Sequence, residues 1–466
     1  MIFNYIKLFL WTSIYYFQKS KSEIIEDIII KNIKDCGCIT IKFSQWILPK
    51  IESIYNIDLT NENFSWFKKL ETLYDDCNEH NFEYTNDLYS KEFNSDIKKD
   101  YDIIRLIASG SIGQVYKIKS KIDGKYYALK CLHPNLEKHI LFFRILIWLL
   151  YNIPIIRIYV RYYLPINLMD FIKDFRTQTN LLNEGNNCLK FTDYYRNNNK
   201  IIIPKVSRMS HSILIMSYED GIKYTDNTIS TYNRSKVFLL MKLFIKNNEH
   251  ILNFIHGDLH KGNWRVRIDD NNDVKLIIYD FGFCWYVPNF LIDHLENIDQ
   301  TFLKVSDENP SDKVRNDFAY YSHILVNNAC SKEDIVEAID FLKDKGFKYD
   351  DPSFLFQLIL ITMRKNNRLI DSYVIQSLIV HNQLGKEIKK YDHTLSMDNN
   401  NSGQIREFYQ KRILDIKNYC NTYNIFPEYI ILLDREYELN KDEFNDNELS
   451  NIEGYDYELL KSLALS

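Results

Sequence analysis

The sequence His256-Gly257-Asp258-Leu259-His260-Lys261-Gly262-Asn263 is followed, after a short polar turn and an apolar run, by Asp280-Phe281-Gly282. Each motif alone occurs often by chance and then marks only an ordinary turn. The two motifs in this order, with the apolar residues 276–279 between them as a strand, form a far more specific pattern. This stretch therefore decides what the rest of the chain is expected to form.

The spacing of Asp258, Asn263 and Asp280 is typical of a kinase catalytic loop followed by a metal-binding turn. Phosphoryl transfer asks for little covalent chemistry from the protein. One carboxylate orients the attacking hydroxyl, while an amide oxygen and a second carboxylate hold Mg²⁺ on the phosphates. We therefore predict a catalytic role for Asp258 and a metal-binding role for Asn263 and Asp280.

Two departures from conventional protein kinases lie close to these motifs. Gly257 stands where those kinases carry an arginine that receives an activation-loop phosphate, so this switch is expected to be missing. After Gly282, residues 283–288 lead directly into a helix predicted for residues 290–305, and no Ala-Pro-Glu element intervenes. Because that element is the platform for peptide substrates, its absence argues against an ordinary protein substrate.

A sheet with a phosphate-binding loop is predicted upstream. Residues 101–107 read as a strand, and a second strand, a turn at Asp123-Gly124 and a third strand ending at Lys130 follow. The loop between the first two strands is rich in small residues, which backbone amides need in order to approach phosphates closely. The candidate nucleotide contacts in this region are Ala108, Gly110, Ser111, Gly113, Val115 over the adenine, and Lys130 on the α- and β-phosphates.

Three further candidates complete the predicted nucleotide site. Residues 171–187 are predicted to form one helix carrying Glu184, which would pair with Lys130. The alternative for Glu184 is an ordinary exposed helix glutamate. Residues 213–216 read as a buried strand leading into a hinge, so Met216 and Tyr218 are the candidates for contacting adenine.

Composition describes a large globular protein. The chain has 466 residues, of which 45% are hydrophobic and 26% are charged, with a formal net charge of -5. Because no global basic field is present, a nucleic-acid partner is not expected. The eight cysteines lack metal-site or redox-pair spacing and are expected to be reduced thiols in a reducing, intracellular compartment.

Two stretches are strongly apolar. Residues 1–17 fall short of the ~20 residues that a spanning helix needs, and a helix packed on the body or lying on a membrane surface is favoured over a spanning one. Residues 140–160 are interrupted by Arg144, Asn152, Pro154 and Arg157, and charges inside a membrane span are costly. We therefore predict buried helices there.

Several motifs together resemble the UbiB-type atypical kinases, also called the aarF-domain-containing kinase family. The resemblance covers roughly residues 24–305 and lies in Ser111-Ile112-Gly113-Gln114-Val115, in Lys130-Cys131-Leu132-His133-Pro134, and in the residues that follow Glu184. Lys42-Phe43-Ser44-Gln45 is similar to the family's Lys-x-Gly-Gln signature, with Ser44 in place of glycine. Gln178-Thr179-Asn180 stands where the family usually carries Glu-x-Asp, the acidic pair that faces the signature lysine.

The resemblance implies binding of ATP or ADP with Mg²⁺, and weak or atypical phosphotransfer or ATPase activity. It also implies membrane association and a supporting role in ubiquinone and other prenyl-lipid metabolism, so a membrane lipid or prenyl-quinone precursor is a possible partner. Lys42 and Gln45 are implied to belong to a helical extension that packs over the nucleotide site and blocks peptide access. The sequence indicates neither the organelle nor an oligomeric state.

The expected fold is α+β, a two-lobed protein-kinase-like fold with a helical extension at residues 1–99, an upper lobe at 100–220, a lower lobe at 221–400 and a helical tail at 401–466. The leading functional hypothesis is an ATP-dependent atypical kinase or ATPase. A small-molecule kinase of the aminoglycoside or choline type is one alternative, although the extension and the loop sequence count against it. The other is a nucleotide-binding pseudokinase acting as a membrane-associated scaffold.

Overall fold

The computed structural model describes residues 2–17, 22–55, 69, 77, 79–163, 165–271, 273–304, 311–348, 353–391, 414 and 416–432. The strands are β1 (Tyr101–Ser109), β2 (Gly113–Ser120), β3 (Tyr126–Leu132), β4 (Ile201–Ile202), β5 (Val206–Met209), β6 (Ile213–Ser217), β7 (Phe254–His256), β8 (Trp264–Ile268), β9 (Val274–Ile278) and β10 (Cys284–Tyr286).

The helices of the first half are α1 (Ile2–Phe17), α2 (Glu23–Cys36), α3 (Cys38–Tyr55), α4 (Phe82–Phe93), α5 (Ile97–Asp100), α6 (Leu136–Asn152), α7 (Pro154–Tyr163), α8 (Leu168–Gln178) and α9 (Leu181–Tyr194). Those of the second half are α10 (Thr231–His250), α11 (Asn289–Ile292), α12 (Leu295–Lys304), α13 (Asp312–Leu325), α14 (Lys332–Asp344), α15 (Phe354–Lys365) and α16 (Ser372–Tyr391).

The upper lobe is built on an antiparallel five-stranded sheet with the order β1-β2-β3-β6-β5. Helices α4 and α5 pack on it, and Tyr89 and Ile97 are fully buried in a cluster with apolar residues of β2, β3 and β6. The alternation of charged and aromatic residues at 86–99 is typical of a solvated helix and linker. The structure differs from that pattern, because Tyr89 and Ile97 fill the back of the sheet.

Residues 171–187 do not form the single helix that was predicted. Helix α8 ends at Gln178 and α9 begins at Leu181, because Asn180 adopts an extended conformation and its side chain accepts a hydrogen bond from the Leu182 backbone N–H. Asn180 is therefore the N-cap of α9. This break places Glu184 in the first turn of the new helix, beneath the sheet.

The lower lobe packs around α10, whose apolar residues 237, 238, 241, 244 and 245 recur at helical spacing and are all buried. Small sheets join β4 with β9 and β8, and β7 with β10. The helix predicted at 290–305 is divided into α11 and α12 by a turn at residues 293–294. Residues 416–432, within the predicted tail, contribute Cys420, Ile425 and Phe426 to the same lower-lobe core.

The helical extension comprises α1, α2 and α3. Gly37, with a φ of +96°, separates α2 from α3. Helix α1 lies against α2, where the Tyr15 hydroxyl donates to Glu26 Oε1 at 2.9 Å, and against α6, where the Tyr5 ring lies 5.2 Å from that of Phe142. Among the described helices, no single one is long and apolar enough to cross a membrane.

Residues 140–160 form α6 and α7, as predicted, but the expected burial applies to only one face. Ile140, Phe143 and Ile147 are buried in the main core. Trp148 and Ile155 instead expose 58% and 71% of their surface. The prediction of buried helices is thus wrong for the outer face, because a helical repeat can place one apolar stripe inward and a second one outward.

Candidate active site between the lobes

The centre of the cleft is a lysine held between two carboxylates. Lys130 Nζ donates to Glu184 Oε1 at 2.9 Å and to Oε2 at 2.8 Å, and it lies 3.3 Å from Asp280 Oδ1. The sequence predicted that Lys130 would pair with Glu184, and the structure brings the two side chains together. Although burial opposes the charged form, Asp280 and Glu184 together raise the pKa of Lys130 well above its usual value.

Asp280 occupies an unusual backbone conformation, with a φ of +55° in the left-handed region. Its side chain accepts a hydrogen bond from the Gly282 backbone N–H at 3.3 Å. Burial would raise the pKa of this carboxyl, but Lys130 and Lys42 overcome it and hold the pKa well below the usual range. Asp280 is therefore an anion in the cleft, and its side chain remains about 36% exposed toward the space beside Lys130.

The catalytic loop is fixed by backbone contacts. Asn263 Nδ2 donates to the Asp258 carbonyl oxygen at 2.8 Å, which leaves Asn263 Oδ1 as the atom for a metal. His256 Nδ1 accepts from the Asp258 N–H, so its Nε2–H donates to the Tyr279 carbonyl oxygen at 3.0 Å. Burial lowers the pKa of His256, so a neutral imidazole ties the loop to the strand that precedes Asp280.

The oxygen donors of the cleft suit Mg²⁺ only if a bound nucleotide and water supply the remaining ligands. Among the described residues, no group of three His, Cys, Asp or Glu side chains could hold a metal ion by itself. Asn263 and Asp280 supply one amide and one carboxylate oxygen, and Mg²⁺ bound to ATP usually takes its other ligands from phosphates and water. These two residues therefore suit a metal that arrives with a nucleotide.

The nucleotide loop is shaped by close backbone approaches. A Cβ at Gly113 would collide with the Cys131 carbonyl oxygen, so only glycine fits there. The Gly110 N–H donates to the Gly113 carbonyl oxygen at 3.0 Å and closes the turn that contains Ser111. Ala108 lies on β1 opposite Val115, and Val115 lies opposite Lys130 on β3. Because directly paired residues share one face of a sheet, Ala108, Val115 and Lys130 face the cleft together.

The residues predicted to contact adenine differ in their availability. Met216 is paired with Ala128, and Lys130 is paired with Leu214. Because Met216 and Leu214 are two residues apart on β6, Met216 lies on the same face of the sheet as Lys130. Tyr218 is less suited to the predicted role, because its backbone N–H already donates to the Tyr126 carbonyl oxygen at 3.1 Å. Its ring instead lies 3.9 Å beneath Lys117 Nζ.

Sequence reasoning missed a pair of histidines that supports the loop. His133 Nε2 lies 2.9 Å from the Gly110 carbonyl oxygen, and the Nδ1 atoms of His133 and His80 are 2.9 Å apart. Since the carbonyl can only accept, His133 donates through Nε2 and accepts from His80, whose Nε2 in turn accepts from Thr85 at 2.9 Å. Burial and the neighbouring His133 lower the pKa of His80 to about 4, so both rings are neutral. The His-Pro that follows the lysine strand was the available signal for His133.

Helix α3 of the extension lies across this cleft. Lys42 Nζ donates to Asp258 Oδ2 at 3.1 Å, and Gln45 Oε1 accepts a hydrogen bond from Ser111 Oγ at 3.2 Å. The two signature residues therefore contact the catalytic loop and the nucleotide loop. Although burial opposes it, Lys42 and then His260 lower the pKa of Asp258 below its usual value, so the carboxylate is charged and paired.

The altered acidic pair explains this pairing of Lys42. Gln178, at the end of α8, lines the same small cavity as Lys42 and Asp258, whereas Asn180 caps α9. Neither amide side chain can carry a negative charge. Among the described residues, the carboxylate that forms a salt bridge with Lys42 is Asp258.

A second lysine of the extension, Lys50, was missed by sequence reasoning. It is 1% exposed, and its Nζ donates to Gln376 Oε1 at 3.0 Å and to the Trp46 carbonyl oxygen at 3.1 Å. Gln376 Nε2 then donates to the Gly257 carbonyl oxygen at 2.9 Å. Lys50 therefore reaches the catalytic loop through one side chain of α16, a connection that no local pattern reveals.

Gly257 itself has no room for a side chain. A Cβ there would collide with the indole of Trp285 on β10, which pairs with β7. The arginine of conventional kinases could not be accommodated without moving Trp285. The predicted loss of a phosphate-receiving switch thus has a steric counterpart.

The family model described as ABC1 atypical kinase-like domain matches residues 72–310. A probable serine/threonine-protein kinase, abkC, of Dictyostelium discoideum is 31% identical over 270 residues, which cover 55% of this chain and 37% of that protein. The probable protein kinase UbiB of Cronobacter sakazakii is 26% identical over 198 residues, covering 39% of this chain and 35% of that protein. A solved structure described as the complex of Rv3197 with erythromycin from Mycobacterium tuberculosis is 16% identical, with a TM-score of 0.39, covering 50% of this chain and 59% of that chain.

The family match confirms the resemblance and the kinase-like fold that the motifs predicted. The chain spans about a third of the length of the two curated relatives described above, 37% of one and 35% of the other. The roles of the individual site residues stay predictions.

Proposed function

Because the chain belongs to the ABC1 atypical kinase-like family, we propose that it binds ATP together with Mg²⁺ and transfers or hydrolyses the γ-phosphate. The observation that carries this proposal is the position of the Lys130 ammonium, 2.8 Å from Glu184 Oε2 and 3.3 Å from Asp280 Oδ1. A buried cation held in this way, beside an anion that can hold a metal, suits the phosphates of a nucleotide.

Each side chain would have a separate task. Lys130 would contact the α- and β-phosphates, and Asp258 would orient the attacking hydroxyl or water. Asn263 and Asp280 would hold Mg²⁺, which neutralises charge that develops on the phosphate oxygens. The loop at Gly110 to Gly113 would offer backbone amides to the phosphates, since its own turn uses only the Gly110 amide.

The acceptor proposed here is not an ordinary peptide. Lys42 pairs with Asp258, and α3 contacts the nucleotide loop through Gln45, so an extended peptide would have to displace the extension. We instead propose a role in prenyl-lipid or ubiquinone metabolism, as the resemblance to the UbiB type implies. Such an acceptor is membrane-bound, and peripheral association of the protein with a membrane inside the cell follows as part of the proposal.

A second candidate is a nucleotide-binding pseudokinase that acts as a scaffold. The observation that favours it is the same salt bridge of 3.1 Å, because an Asp258 carboxylate that stays paired with Lys42 is a weaker base toward an acceptor. Both candidate functions include binding of ATP, and they differ in whether the protein then transfers or hydrolyses the γ-phosphate.

Phosphate release from ATP by the purified chain, with Mg²⁺ and with or without liposomes, tests the proposal. Asp258→Asn is expected to lower turnover by at least about 100-fold and to keep the ATP-induced rise in melting temperature. Asp193→Asn, on an exposed turn of α9, is the matched control. Equal phosphate release from Asp258→Asn would refute the assigned base, and ATP-induced stabilisation without release at any lipid composition would favour the scaffold.

A further inference from the structure

Helices α6 and α7 present an apolar outer face that described residues leave uncovered. Its members recur at helical spacing and are Leu141, Ile145, Trp148 and Leu149 on α6, with Ile155 and Ile158 on α7. Buried residues of α6, such as Phe143 and Ile147, lie on the opposite side of the helix. We call the six exposed residues the outer apolar face. An exposed patch of this kind on a folded protein usually marks a binding surface.

The charges on α6 and α7 are mostly positive. The two helices carry Lys138, Arg144, Arg157 and Arg161, and their one acidic residue is Glu137 in the first turn of α6. The chain as a whole has a formal net charge of -5, so the charge of this cationic region is opposite in sign to that of the whole chain. Lys138, Arg144 and Arg157 form no salt bridge with any described residue, and all three are exposed.

A cationic groove borders this face. It has a volume of about 840 Å³ and runs between α6 and the helices α8 and α9. Its lining includes Lys138, Arg144, Lys173 and Arg176, with Glu137 as the one carboxylate among the lining residues. Leu141 and Arg144 belong to both the groove and the surface of α6, so apolar and cationic groups meet there.

We propose that the outer apolar face and the cationic groove together dock on the surface of a bilayer that contains anionic phospholipids. Apolar and aromatic side chains would enter the boundary between headgroups and acyl chains, while the lysines and arginines would contact headgroup phosphates. Helices α6 and α7 together have the length and composition of a broken span or re-entrant loop, with a bend of 96° between them. A position along the surface is favoured over a span because Arg144, Arg157 and Arg161 would be costly inside the bilayer. The inference deepens the membrane association within the proposed function by naming the surface that carries it.

Flotation of the full-length protein with vesicles tests the surface. Vesicles of phosphatidylcholine alone are compared with vesicles that also contain phosphatidylglycerol, at low and high salt. The apolar variant is Trp148→Ser with Ile155→Ser, and the charge variant is Arg144→Gln with Arg157→Gln. Controls are Ile122→Ser, which changes an 87% exposed isoleucine in the turn between β2 and β3, and Arg196→Gln, whose side chain is 70% exposed.

Each double variant is expected to weaken binding to the anionic vesicles by about tenfold, and the controls to bind like the wild type. High salt should lower the binding of the wild type more than that of the charge variant. Melting temperatures and ATP-induced melting shifts are measured on the same samples. They should be unchanged in every variant, so a failure of nucleotide binding is distinguished from a failure of this surface.

Three results would overturn the proposal. Equal binding by the wild type and both double variants would mean that another part of the chain, or a second copy, covers this face. Loss of binding in Phe9→Ser on α1, without any loss in the double variants, would assign the contact to α1 instead. A concentration-dependent change of mass in the apolar variant, with no change in vesicle binding, would identify the face as a contact between copies of this chain.

Discussion

The cleft and the extension that crosses it meet at Asp258, but the lysines of the two regions have different partners. In the cleft, Lys130 is matched by two carboxylates, and space beside Asp280 stays open. In the extension, Lys42 is paired with the carboxylate of the predicted base, and Lys50 is buried and donates to the neutral oxygens of Gln376 and Trp46. The charges of the cleft thus suit the proposed polyanion with a metal, whereas the extension pairs with the predicted catalytic loop.

The largest effect is expected when the anion of the cleft is removed. Asp280→Asn deletes the one carboxylate assigned to the metal, so the enhancement of ATP binding by Mg²⁺ should fall by at least about 100-fold. Titration calorimetry with ATP, with and without Mg²⁺, measures it. Asp193→Asn is the control on an exposed site. Unchanged Mg²⁺-dependent affinity in Asp280→Asn would refute the metal assignment.

A smaller effect is expected when the cation of the cleft is removed. Lys130→Ala eliminates charged hydrogen bonds to the phosphates worth about 2 kcal/mol, so the Kd for ATP should rise about 30-fold while the fold persists. Glu184 then loses its cation, and because burial raises its pKa, it is expected to become protonated near neutral pH. Nucleotide-induced melting shifts measure the change, with Lys119→Ala on the neighbouring strand β2 as the control. An equal ATP-induced shift in Lys130→Ala and wild type would remove Lys130 from the nucleotide site.

The same comparison shows what could be predicted from the sequence. The groups of the cleft follow from local motifs, since each of Lys130, Asp258, Asn263 and Asp280 stands in a short pattern set by strand and loop geometry. Asn263 and Asp280 converge because they flank the paired strands β8 and β9. The approach of Lys130 to Asp280 joins two different sheets and was expected from the kinase-like order of the motifs. The pairing of Lys42 with Asp258 spans 216 residues and that of Lys50 with Gln376 spans 326, and no periodicity encodes such contacts.

The errors have physical causes of the same kind. One helix was predicted at 171–187 because its apolar spacing continues across the break, whereas the capping side chain of Asn180 ends it. The outer face of α6 and α7 was predicted to be buried because hydrophobicity alone does not say which apolar stripe has a partner. The assignment of Tyr218 to adenine stays a prediction, although its amide is bonded to the Tyr126 carbonyl oxygen.

A substitution in the extension tests whether the pairing of Lys42 with Asp258 restrains the active site. Lys42→Gln removes the cation from Asp258 and should raise the turnover of ATP by about tenfold, since the carboxylate is then free to act as a base. The pKa of Asp258, which Lys42 lowers, should rise toward its usual value. Because a protonated base is inactive, the acidic limb of the pH–rate profile should move to higher pH. Lys31→Gln on α2 is the control.

An unchanged rate together with an unmoved acidic limb in Lys42→Gln would show that the pairing with Asp258 does not restrain the active site. A raised rate with an unmoved limb would instead point to better access for the acceptor. The Kd for ATP should stay close to the wild-type value in either case, because Lys42 contacts the catalytic loop and not the nucleotide loop.

The smallest expected effect concerns the second lysine of the extension. Burial, which Asp174 and Asp258 only partly oppose, lowers the pKa of Lys50 to about 7. In the unfolded chain Lys50 stays protonated up to about pH 10.4. Between the folded and unfolded pKa values the unfolded state therefore binds more protons than the folded state. As the pH rises through this range, the contribution of Lys50 to folding stability becomes less unfavourable. The change in the free energy of unfolding caused by Lys50→Met should therefore be more favourable at pH 6 than at pH 8, by about 1 kcal/mol.

Urea denaturation at the two pH values measures this difference, and Lys31→Met on α2, at an exposed lysine, should show none. If Lys50→Met gave the same change at pH 6 and pH 8, Lys50 would be charged at both values and held by carboxylates, as Lys130 is. The contrast between a cleft with paired charges and an extension with a buried, titrating lysine would then be lost, whereas the pairing of Lys42 with Asp258 would still stand on its own measurement.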